Sequence, residues 1–137
     1  MKKLFLIVFC CSFFQMLLSQ QVFSPSKDIL LDFSLTNNGE PNYKITYKGN
    51  AIIKQSKLGF LLKGGTDLTN NFTISQVEKK TVNESWKPVL GEQLEIQNKY
   101  NQIKFYLIQQ KTNKKLNFVF KVYDEGVAFR YEFPFEN

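Results

Sequence analysis

Glu92 and Glu95 are the obvious carboxylate pair in this chain for general acid–base work. Hydrolysis of a glycosidic bond needs two carboxyl groups facing one another across the bond. One protonates the leaving oxygen and the other activates water or attacks directly. Three residues apart on a strand, Glu92 and Glu95 would point to opposite faces, so they read as solvated strand charges rather than as a catalytic pair. Asp124 and Glu125 precede Gly126 and are explained as turn formers. Trp86, in ESWKPVLGE, offers a flat face that could stack on a sugar ring and is the candidate substrate-binding residue; core packing beside Pro88 and Val89 is the competing account. Asn71-Phe72-Thr73 and Asn83-Glu84-Ser85 match the N-glycosylation pattern. The chain has no histidine, which removes Ser-His-Asp and Cys-His nucleophilic schemes and histidine-ligated zinc within it. No Asp-rich, Gly-containing calcium loop is present. The residues by themselves assign no catalytic, cofactor-binding or metal-ligating position.

The elements that would position these groups read as strands. In LNFVFKVYDEGVAFRYEFP, Leu116, Phe118, Phe120 and Val122 alternate with polar or smaller residues, and Val127, Phe129, Tyr131 and Phe133 do the same after Asp124-Glu125-Gly126. Period-two alternation places each apolar set on one face, and Gly126 can supply the positive φ of a hairpin. Pairing Val122 with Phe129 and Phe120 with Tyr131, across an even loop, puts both sets on one face. Upstream, Ile29–Leu35, Tyr43–Tyr47 and Ala51–Lys54 read as strands joined by Thr36-Asn37-Asn38-Gly39 and Lys48-Gly49-Asn50. Residues 56–63 read as a further strand in which Gly59 marks a bulge or a close backbone approach. Phe72–Val82 alternates, and Leu94–Gln97 and Ile103–Gln109 flank Asn98-Lys99-Tyr100-Asn101 as another hairpin. No segment carries a sustained helical period, and no internal repeat or low-complexity tract is visible. Seven to nine short strands with turn chemistry between them indicate an all-β, antiparallel β-sandwich. Fourteen Phe and six Tyr agree with that choice.

Residues 1–19 are of another kind. Lys2 and Lys3 precede an apolar run from Leu4 to Leu18, too short for the roughly 20 residues of a membrane-spanning helix. A basic start, a short apolar core and the small Ser19 form a secretory signal cleaved after Ser19, so the mature domain begins at Gln20. Cys10 and Cys11 both lie in this signal, leaving no disulfide in the mature domain. The expected location is secreted, periplasmic or cell-envelope, with no membrane span after cleavage. Removal of Lys2 and Lys3 lowers the formal net charge from +6 to +4. With Arg130 as its single arginine, the chain lacks a phosphate-reading surface, which argues against nucleic acid as a partner.

Three stretches together resemble the amino-terminal domain of glycoside hydrolase family 97, secreted α-glucosidases and α-galactosidases of gut-type Bacteroidetes. They are PNYKITYKGNAIIKQSKLGFLLK, then ESWKPVLGE followed by EIQNKYNQI, then LNFVFKVYDEGVAFRYEFP; they come in family order and cover roughly Ile29 to Pro134. Leu90, Gln97, Lys99 and Gln102 depart from the family pattern, which often has Trp, Arg, His and Glu there. The resemblance implies a β-sandwich of the galactose-mutarotase-like super-sandwich type, of which residues 20–137 would be the first part, incomplete at the carboxy-terminal end. It also implies a parent enzyme with a (β/α)₈ barrel that carries the catalytic carboxylates, acts on oligosaccharides and packs against this domain. A calcium ion would be held by glutamates outside this chain. On that reading the chain is a non-catalytic scaffold of an exo-acting α-glycosidase; the alternative is a free-standing carbohydrate-binding or cell-envelope module without catalysis.

Overall fold

The computed structural model describes residues 19–65, 67–92 and 94–134. The expected signal, with Cys10 and Cys11, lies outside these apart from Ser19. Eight strands are present among the described residues: β1 (Gln20–Phe23), β2 (Ile29–Leu35), β3 (Pro41–Tyr47), β4 (Asn50–Lys57), β5 (Phe72–Trp86), β6 (Ile96–Gln109), β7 (Lys115–Val122) and β8 (Val127–Glu132). They form two antiparallel four-stranded sheets, ordered β1-β2-β3-β4 and β5-β6-β7-β8, stacked as an all-β sandwich. No described helix is long and apolar enough to cross a membrane.

Alternation places the core. From the first sheet Ile29, Leu31, Phe33 and Ile45 are buried, and they meet Ile103, Phe105 and Leu107 of β6 and Leu116, Phe118, Phe120 and Val122 of β7. Phe33 sits at the centre. Its ring stacks on Phe105 at 4.0 Å and lies 5.7 Å from Phe118 and 5.9 Å from Phe120. Aromatic pairs at such offsets gain about 0.5–1.5 kcal/mol beyond their area burial, which suits a Phe-rich chain without disulfide staples.

The β7–β8 hairpin keeps both apolar sets on one face, as its alternation predicts, but in a different register. Val122 pairs with Val127, Phe120 with Phe129 and Phe118 with Tyr131, instead of Val122 with Phe129 and Phe120 with Tyr131. The shift of two residues preserves the face and shortens the loop to residues 123–126, closed by the Tyr123 N–H donating to the Gly126 carbonyl at 2.8 Å. Gly126 does this without a positive φ. The hairpin expected around Asn98-Lys99-Tyr100-Asn101 is not formed; these residues lie within the first half of β6 and continue its strand. Nor is residues 56–63 one strand. β4 ends at Lys57, and the chain beyond makes only an isolated bridge between Phe60 and Leu68. Gly59 marks a close backbone approach there, because a Cβ at its φ of +140° would stand 2.4 Å from the Leu68 carbonyl oxygen. The short β1 carried no sequence signal, since Val22 is its one buried side chain.

Two further features set the sandwich's borders. On the free edge of β1, Lys79 Nζ donates to the Gln21 carbonyl at 3.3 Å and Asn101 Nδ2 donates to the Phe23 carbonyl at 2.8 Å. Side chains of the second sheet thus occupy acceptors that another strand would use. On the opposite flank, Phe60 packs on Tyr131 at 4.4 Å and on Phe133 at 5.3 Å, and Tyr43 lies 6.0 Å from Phe129. Phe129 and Phe133 remain about half exposed along the free edge of β8.

Candidate functional site

β5 and β6 outrun their neighbours. The ladder between β6 and β7 begins at Asn101, opposite Val122, whereas β5 and β6 stay paired out to Trp86 opposite Ile96. Residues 82–86 and 96–100 therefore form a two-stranded arm beyond the four-stranded part of the sheet. Its root is fixed by Val82 and Tyr100, paired and both buried; the Tyr123 ring lies 5.0 Å from that of Tyr100, and Lys121 Nζ stands 4.6 Å over the Tyr100 ring. Further out the rungs are polar. Asn98 Nδ2 donates to Glu84 Oε1 and Ser85 Oγ donates to Glu95 Oε1, each at 2.6 Å. Isolated two-stranded ribbons are marginal in water, so these cross-strand bonds and the packed root are what hold the arm's register.

The arm collects most of the residues that sequence chemistry singled out. Trp86 ends β5 and is 48 % exposed, so it is not a core residue; packing beside Pro88 and Val89 does not bury it. Glu92 lies in the loop and Glu95 just before β6, so neither is on a strand and the argument from opposite strand faces does not apply. Glu95 is engaged by Ser85, while Glu92 is exposed. Leu90 lies at the tip, Gln97 and Lys99 on the β6 half of the arm, and Gln102 just inside the four-stranded part. Three of these four positions thus fall on the arm, while Gln102 is paired with Lys121 inside the four-stranded part. Asn83, of the second tripeptide Asn83-Glu84-Ser85, is exposed on the β5 half, whereas Asn71 of the first has a φ of +59° and its N–H donates to the Asn38 carbonyl.

The tip is apolar. Val89, Leu90 and Leu94 are more than nine-tenths exposed. Sequence reasoning missed this, because apolar residues were assigned to the core. The signal that could have found it is the loss of alternation in residues 87–95, where Val89 and Leu90 are adjacent and neither belongs to a period-two set.

Away from the arm, Asp124 is more than a turn former. Its Oδ1 accepts the Ser26 N–H at 2.7 Å, joining the β7–β8 turn to the β1–β2 loop, and that backbone bond holds its carboxyl below the usual range. Glu132 on β8 is paired with Lys104 Nζ at 2.7 Å and with Arg130. Lys104 first, then Arg130, lowers the Glu132 pKa, and Glu132 raises that of Lys104. Among the described residues no group of three or more His, Cys, Asp or Glu could hold a metal ion.

Comparison with known proteins agrees with the geometry. Residues 22–137 match the family described as Glycosyl-hydrolase 97 N-terminal. The chain is 28% identical over 132 residues to a retaining alpha-galactosidase of Bacteroides thetaiotaomicron, covering 96% of this chain and 19% of that protein. It superposes, at 29% identity and a TM-score of 0.79, on a glycoside hydrolase family 97 enzyme from Pseudoalteromonas sp. strain K8 solved with acarbose, covering 85% of this chain and 18% of the enzyme. A beta-arabinopyranosidase, at 24% identity and a TM-score of 0.75, shares the fold. The chain thus spans about a fifth of the length of such relatives, and from its match over residues 22–137 it belongs to the glycoside hydrolase family 97 N-terminal domain family.

Proposed function

We propose that this chain is the export signal and first part of the non-catalytic amino-terminal scaffold of a secreted or periplasmic, exo-acting α-glycosidase that hydrolyses α-glucosides or α-galactosides in oligosaccharides. The observation that carries the reading is the family match over residues 22–137. Catalytic carboxylates and calcium-holding glutamates belong, on this reading, to the catalytic portion of the parent, so no chemical step is assigned to residues here. Export is supported by the basic and apolar start. Cleavage after Ser19 would leave β1 whole.

The test is to assay two purified proteins, the full-length parent and residues 20–137 alone, on p-nitrophenyl α-glucoside and α-galactoside, each with calcium and after chelation. The parent should hydrolyse one of them and lose activity on chelation, while residues 20–137 should be inactive in both conditions. Calcium-stimulated turnover by residues 20–137 that vanishes with Glu92→Gln or Glu95→Gln would overturn the scaffold reading. A parent inactive on both substrates, together with retention of residues 20–137 on an oligosaccharide column that Trp86→Ala abolishes, would favour the free-standing binding module.

A further inference from the structure

We propose that Asn38-Gly39 is a covalent modification site held shut by the fold, at which an opened chain converts Asn38 to isoaspartate and thereby loses the ability to refold. The site lies apart from the arm and does not depend on the scaffold reading. Of the seven glycines, Gly39 alone follows an asparagine. Asparagine is among the thermolabile residues, and a following glycine removes the Cβ that would crowd the approach of the next amide. In the reaction the Gly39 amide nitrogen attacks Asn38 Cγ. A bond forms between them, the Cγ–Nδ2 bond breaks, and ammonia leaves with the Gly39 amide proton. Water then opens the succinimide ring. Opening at Cγ leaves aspartate; opening at the Asn38 carbonyl carbon leaves isoaspartate, whose main chain runs through Cβ and Cγ. Water enters and ammonia leaves, so the step balances without an oxidant or reductant.

The Asn38 side chain is exposed, and the restraint lies in the backbone. The Gly39 N–H donates to the Thr36 carbonyl at 2.8 Å, inside a turn closed by the Thr36 N–H on the Glu40 carbonyl at 3.0 Å and the Glu40 N–H on Thr36 Oγ1 at 3.1 Å. That bond holds the proton which the nitrogen must lose before it attacks. The carbonyls on both sides are pinned to the start of β5. Asn38 accepts the Asn71 N–H at 2.8 Å, and Gly39 accepts the Phe72 N–H at 3.1 Å. Ring closure has to turn a peptide unit that these bonds fix. The same contacts make the isoaspartyl product incompatible with the fold. It lengthens the main chain by one methylene and turns the Asn38 carbonyl into a free carboxylate. There is no slack to absorb this, because even a Cβ on Gly39 would lie 2.5 Å from the N and O of Phe72. Opening therefore gates the chemistry, and the chemistry makes opening irreversible.

The test follows position 38 by peptide mapping that separates asparagine, aspartate and isoaspartate. The full-length polypeptide and a synthetic peptide of residues 35–41 are aged at neutral pH, with and without guanidinium chloride. The native protein should react about tenfold more slowly than the peptide, or slower still, as for a site that reacts only when open. In guanidinium chloride its rate should rise to that of the peptide. Equal rates for native protein and peptide would overturn the proposal, as would a denatured protein that stays protected. Protein aged in denaturant is then diluted to refold. Isoaspartate at position 38 should be missing from the refolded, monomeric fraction, whereas fresh Asn38→Asp, with a normal main chain, should refold like the unaged protein. Isoaspartate present in that fraction in the same proportion as in the aged sample would overturn the proposal. So would an aged Asn38→Gln protein that refolds no better than the aged original, which would place the damage elsewhere. The rate comparison uses the unsubstituted protein and stands whether or not a variant folds.

Discussion

Gly39 shows how a single residue can be fixed by backbone rather than side chain. Its φ is +67°, and a Cβ there would lie 2.5 Å from both the N and O of Phe72, the first residue of β5. Gly39→Ala therefore forces the β2–β3 turn away from the strand it touches, and a loss of about 2–3 kcal/mol is expected from chemical denaturation. Phe33→Ala should cost more, about 3–5 kcal/mol, since it empties the centre of the aromatic cluster. The paired carboxylates set the acid limit. Asp124 and Glu132 have folded pKa values below their unfolded ones, so their contribution is present above the unfolded values and is lost as pH falls through the lower folded values. The denaturation midpoint should drop as pH goes below about 4, the range of free Asp and Glu, and Asp124→Asn should lower it at neutral pH while flattening the acid limb. For Lys104 the direction reverses. Its raised pKa gives a contribution that is present below the unfolded value and fades as pH climbs through the folded one.

At the scale of elements, the arm should be energetically separate from the sandwich it leaves. Glu84→Gln and Ser85→Ala touch only exposed rungs, and each should shift domain stability by no more than about 0.5 kcal/mol. A larger effect would mean the arm packs on the core. Here the sequence was legible in part. In β5, Phe72 and Ile74 are followed by Val77 rather than by an apolar residue at 76, and this three-residue step is the bulge between Ile74 and Gln76. In β6 the same logic misled. Its buried residues switch from Tyr100 to Ile103, Phe105 and Leu107, a change of face with no break in the ladder. Read locally, Asn98-Lys99-Tyr100-Asn101 resembles a turn; in the fold, the opposite face becomes buried where Tyr123 and Lys121 cover Tyr100. The site was legible only as residue types. Nothing within the period of a strand says that Trp86 ends an arm or that Leu94 is bare, because both depend on where β7 stops pairing.

For the whole molecule, the two flanks of the sandwich behave differently. The β1 edge is occupied by Lys79 and Asn101, whereas the β8 flank leaves Phe129 and Phe133 exposed at a strand edge that is free among the described residues. Residues 20–137 alone should therefore bind a hydrophobic dye and self-associate through β8, and a longer polypeptide that covers this flank should do neither. Size-exclusion chromatography with light scattering, run beside dye fluorescence, checks this; a monomeric, dye-silent protein that melts cooperatively would contradict it. The strand order has a kinetic consequence as well. In both sheets every strand pairs with its neighbour in sequence, so the ladders close short loops, and only the stacking of the two layers waits for distant contacts. All-β proteins dominated by remote pairings fold slowly. This one can zip each meander by successive hairpins, and a chain emerging amino-terminus first during synthesis has all of β1 to β4 available to pair before β5 appears.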